Sequence, residues 1–112
     1  MKTSFRPPEP FRCDVRWAEE TTFVEVAGEL DIDTADQVQE RLAALREGGC
    51  PDVVLDLRPL TFMDSTGLRL VIEWDAAARA DGFRFSVIPG EGPVRRLFKL
   101  TGMDGHIAER AA

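Results

Sequence analysis

The feature that most constrains this chain is Val53-Val54-Leu55-Asp56-Leu57, a short, nearly unbroken apolar run set between two stretches of helical period. A run of this length after Pro51 suits a strand covered on both faces, as parallel sheets require. Parallel strands need crossover connections, and the flanks supply them. On the N-terminal side Thr34 and Gln37 are spaced as a capping box. Ala35, Val38, Leu42 and Leu45 then follow at helical spacing, and Gly48-Gly49 stops the helix. On the C-terminal side Asp64 or Ser65 can cap a second helix running to about Asp81, with Gly82 as its terminator. Its apolar arc is Leu68, Val71, Ile72, Trp74 and Ala78, interrupted by Asp75 and Arg79 at i,i+4.

The ends of the chain extend the same alternation. Phe11, Cys13, Val15 and Trp17 alternate with Arg12, Asp14 and Arg16, the period of a half-buried strand. A turn through Glu19 and Glu20 leads to Thr22–Ala27, where Val24 and Val26 share a face, so the two strands read as a hairpin. Phe83-Arg84-Phe85-Ser86-Val87 is a fourth strand. Pro93 suits a first helical position, and Val94, Leu97 and Phe98 give a short helix its stripe before Gly102. His106-Ile107 can add a brief last strand. The order is ββαβαβα, an α/β fold with a mixed sheet, right-handed crossovers and helices packed on it. At 112 residues there is room for one core, in residues 11–112; Met1–Pro10, with Pro7, Pro8 and Pro10, reads as a flexible or extended arm.

Composition narrows the function. A net charge of −6 argues against nucleic acid, whose phosphates need a basic stripe, and points to protein partners. No apolar run approaches the ~18 residues of a spanning helix, and the N-terminus lacks a signal-peptide core, so no membrane role and a cytoplasmic location are expected. Cys13 and Cys50 are far apart, without metal spacing, and read as free thiols. The lone histidine, His106, would have to serve any Ser–His triad, and its Gly-rich surroundings favour a solvated side chain. Pro89-Gly90-Glu91-Gly92-Pro93 lacks the Lys and Ser/Thr of a phosphate loop. Neither an enzyme nor a cofactor is expected.

Two polar segments stand out. Gly28-Glu29-Leu30-Asp31-Ile32-Asp33-Thr34 sets three carboxylates in the link from strand to helix, where a solvated loop with a helix cap would also explain Asp33 and Thr34. Phe62-Met63-Asp64-Ser65-Thr66-Gly67-Leu68 sets two hydroxyls at a helix start. An N-cap alone accounts for Asp64-Ser65. The free N–H groups and positive dipole end of the helix would also tolerate an added phosphate there. Gly67, lacking a Cβ, would let a partner's backbone or a nucleotide approach closely.

These two segments, with Val94-Arg95-Arg96-Leu97-Phe98 and Thr101-Gly102, resemble the STAS domain family, most closely its anti-sigma factor antagonist branch. The likeness runs from about Phe11 to Gly102, with the motifs in the family's order. It implies a STAS-like mixed sheet of four or five strands and a protein-binding, non-catalytic role. It further implies that Ser65 accepts phosphate from an ATP-dependent, GHKL-type anti-sigma factor serine kinase. The unphosphorylated form would bind that kinase and free a sigma factor, and a PP2C-type phosphatase would reverse the mark. Asp64, Ser65, Thr66, Gly67 and Arg69 would then form the partner-binding surface, with Glu29, Asp31 and Asp33 in the neighbouring contact loop. The alternative within the family is a constitutive accessory subunit of a transporter-type complex. A small hydrolase is the third reading, and it requires His106 to approach Ser65.

Overall fold

In a computed structural model that describes residues 10–111, the elements run β1 (Arg12–Ala18), β2 (Thr21–Leu30), α1 (Ala35–Glu47), β3 (Asp52–Asp56), β4 (Leu60–Met63), α2 (Ser65–Asp81), β5 (Arg84–Ile88) and α3 (Pro93–Thr101). The expected arm therefore lies outside the described residues except for Pro10. The sheet is mixed, in the order β1-β2-β3-β5. β1 is antiparallel to β2, while β3 and β5 continue in parallel, as the crossover pattern requires. The ββαβαβα order holds, with β4 as an additional short strand between β3 and α2. It pairs in parallel with the far end of β2, Glu29 opposite Phe62 and Leu30 opposite Met63. Four residues without alternation give no periodic signal, which is why β4 is not apparent in the sequence.

Register and alternation sort the sheet into two faces. Val24, Val26, Val53, Leu55, Phe85 and Val87 point one way and form the core with α1 and α2. Trp74 Nε1 donates to Gln39 Oε1 at 2.8 Å, joining the two helices at their outer rim. Asp52, Val54 and Asp56 point to the opposite face, and all of β3 is buried as expected. On that face arginines close over the strand. Arg58 donates two hydrogen bonds to Asp56 at 2.9 and 2.7 Å, and Arg110 donates to Asp52 at 2.8 Å. Burial alone would raise the Asp56 carboxyl; the Arg58 hydrogen bonds outweigh it and hold the group below its ordinary value.

Three local expectations need correction. Thr34 does not form a capping box: its hydroxyl donates to Glu29 O at 2.8 Å and accepts from Asp31 N at 3.0 Å. Trp17 keeps the alternation of β1 but stands at the strand's end, 70% exposed. The last pairing is not at His106-Ile107 but at Glu109 beside Val87, with Val87 N donating to Ala108 O and Arg110 N donating to Val87 O, each at 2.9 Å. Buried carboxylates anchor that segment from both sides of the sheet. Asp75 on α2 accepts from Ala108 N and from Arg79, and Asp52 accepts from Arg110.

Candidate functional site

The parallel pairing of β2 with β4 carries both polar segments to one edge of the sheet. β2 extends to Leu30, so Gly28 and Glu29 belong to the strand rather than to a loop. Asp64 N donates to Leu30 O at 3.3 Å, which fixes the loop before α1 beside the start of α2. Between them Asp31 organises a tight turn. Its Oδ1 accepts from Asp33 N at 2.9 Å, and its carbonyl accepts from Ala35 N at 2.9 Å. Part of the Asp31 carboxylate is thus committed to its own loop, whereas Glu29 and Asp33 are exposed.

The start of α2 is capped by Asp64, not by Ser65. Asp64 Oδ1 accepts from Thr66 N at 2.9 Å and from Gly67 N at 3.4 Å. Two of the helix N–H groups expected to receive a phosphate are therefore already occupied, and Ser65 N remains free among the described residues. Ser65 is exposed, and its hydroxyl makes no hydrogen bond among the described residues; Thr66 is half-buried and Arg69 is exposed one turn on. Gly67 differs from expectation because it is buried. A Cβ there would stand 2.6 Å from Met63 Cγ and 3.0 Å from Leu30 Cγ. Its missing side chain lets α2 seat on the β2–β4 junction, and so it acts from within to set the height of Ser65.

The sequence model of the family described as "Mlab, STAS domain" matches residues 13–109. The chain is a STAS domain. An anti-sigma-B factor antagonist of Staphylococcus aureus is 32% identical over 80 residues, 71% of this chain and 74% of that protein. Among solved structures, an anti-sigma factor antagonist from Mycobacterium paratuberculosis is 25% identical with a TM-score of 0.76, covering 96% of this chain and 92% of that one. The Bacillus cell fate determinant SpoIIAA in its phosphorylated form superposes with a TM-score of 0.66 at 21% identity, over 91% of this chain and 92% of that one.

Two residues at the edge of this STAS domain escaped the sequence reading. Ile32 is 76% exposed in the turn before α1, and Phe62 is 45% exposed on β4 opposite Glu29. Ile32 stands in the loop that the Asp64 N to Leu30 O hydrogen bond holds next to the start of α2, whereas Phe62 alternates with Met63 and so points to the face of β4 away from Gly67. Recognising Phe62 as a surface residue required knowing that β4 exists. His106, in contrast, is tied to the far half of α2. Its carbonyl accepts from Arg79 at 3.1 Å, and Arg79 lies about 21 Å along the helix from Ser65. The triad geometry required by a hydrolase is not assembled. Among the described residues no group of His, Cys, Asp and Glu could hold a metal ion, and no helix is long and apolar enough to cross a membrane.

Proposed function

We propose that this STAS domain is a cytoplasmic anti-sigma factor antagonist, switched by phosphorylation of Ser65. The unphosphorylated form binds an ATP-dependent, GHKL-type anti-sigma factor serine kinase and so releases a sigma factor. The observation that carries the reading is the exposed, unbonded Ser65 hydroxyl at the start of α2, in a chain similar to a Staphylococcus aureus anti-sigma-B factor antagonist. A hydroxyl free of internal bonds can enter a kinase site without disrupting the fold. Ile32, exposed in the adjoining loop, supplies an apolar contact, and Glu29, Asp31 and Asp33 supply charge complementary to a basic surface. Asp64 and Thr66 hold the helix start that presents Ser65. A PP2C-type phosphatase would restore the binding form.

The direct test is incubation with candidate anti-sigma kinases and ATP, followed by intact mass. One phosphate is expected on the wild-type chain and none on Ser65→Ala. Equal labelling of the alanine variant would transfer the assignment to Thr66. The second reading, a constitutively bound accessory subunit of a transporter-type complex, is favoured by one observation: Asp64 caps α2 through Thr66 N and Gly67 N, a role for this segment that needs no phosphate. Under that reading no kinase labels the chain, and its partner is bound equally well by wild type and Ser65→Ala.

A further inference from the structure

Phosphorylating Ser65 would add about −1.5 to −2 charges at neutral pH, beside the Asp64 carboxylate. Of its first N–H groups the helix offers this charge only that of Ser65 itself. Thr66 N and Gly67 N already donate to Asp64 Oδ1, and Leu68 N donates to Asp64 O at 3.1 Å. The adjoining segment contributes Glu29, Asp31 and Asp33, all of the same sign. Arg69 is the counterweight on α2. It is exposed, and among the described residues it forms no ion pair and donates no side-chain hydrogen bond.

Helix geometry brings Arg69 to the modified hydroxyl. Residues four apart share a face, with about 5–6 Å between Cβ atoms. Every Cα–Cβ bond tilts towards the helix N-terminus, so a long side chain at position 69 lies back over the turn that begins at Ser65. An anion N-terminal to a cation is the favoured sense of such a pair. The guanidinium fork also matches two oxygens of one phosphate, which a lysine ammonium does not.

We propose that Arg69 is the phosphate-binding residue of the modified protein, clamping phosphorylated Ser65 within its own helix. Modification then acts twice at the partner surface: it adds the phosphate, and it withdraws the only unpaired cation on the first two turns of α2. This rests on Ser65 as the modified residue, so the test installs phosphoserine at position 65 by genetic encoding, without a kinase. Denaturant unfolding is measured for the wild type, Arg69→Gln and Arg69→Lys, each with and without the phosphate. Arg69→Gln should raise the unfolding constant about two- to fivefold more in the phosphorylated protein than in the unmodified one. Arg69→Lys should recover part of that difference, a coupling that a merely structural arginine would not produce. Equal effects of Arg69→Gln in the two forms would overturn the clamp. Failure of every kinase to label Ser65, with the coupling intact in the encoded protein, would strike only the functional reading.

Discussion

Asp64 and Gly67 separate what a residue's type reveals from what only its surroundings reveal. Asp64 is legible as a cap from its place before a helical period, and the structure gives it two N–H donors. Replacing it with Ala is expected to cost about 0.5–2 kcal/mol in denaturant unfolding, the usual loss for such a cap. Gly67 is legible only as a small residue near a helix start. That Met63 and Leu30 press against it follows from β4, which the sequence does not announce. Gly67→Ala should destabilise the protein by about 1–3 kcal/mol, as over-packing does, and should lower Ser65 labelling by tilting α2. A neutral outcome in both measurements would show that the helix seats elsewhere. Thr34 illustrates a different limit: its spacing to Gln37 fits a capping box, yet Glu29 O and Asp31 N lie closer to its hydroxyl and take it.

Among the elements, helices and long strands are read from periodicity, while short or edge-bound pieces are not. α1, α2, β3 and β5 fall where their apolar spacing places them. The far end of β2, all of β4 and the pairing of Glu109 depend on neighbours brought near by the fold. The charged face of the sheet likewise depends on Arg58, Arg84 and Arg110 reaching over β3. Its stability should depend on pH in a defined sense. The Asp56 carboxyl is depressed in the folded state, so its contribution is complete above the ordinary carboxylate range near about pH 4 and is lost as pH falls through the depressed value. Arg58→Gln should therefore destabilise the protein at neutral pH, by about 1 kcal/mol given the half-exposed guanidinium, and the difference should shrink in acid. A difference unchanged from pH 7 to pH 3 would contradict that pairing. In the loop before α1, Asp33 is the better probe of charge than Asp31, because only Asp31 supports the turn. Asp33→Lys should slow association with the kinase several-fold while leaving the melting midpoint within about 2 °C.

For the whole molecule, the acidic balance, the helix-backed sheet and the exposed Ser65 edge belong to one account. The Ser65 side chain is exposed above the core residues Met63 and Leu68, so its charge can change without entering the core. Phosphorylation should accordingly leave the cooperativity of melting intact. At the proposed interface it would add bulk and negative charge next to the Asp64 carboxylate. Titration calorimetry of the anti-sigma factor kinase with unphosphorylated, phosphorylated and Ser65→Ala protein tests this most directly. The phosphorylated form is expected to bind at least about tenfold more weakly, roughly 1.4 kcal/mol, and Ser65→Ala to bind like the unmodified chain. Equal affinity of the phosphorylated and unphosphorylated forms would contradict the switch and favour a constitutively bound subunit.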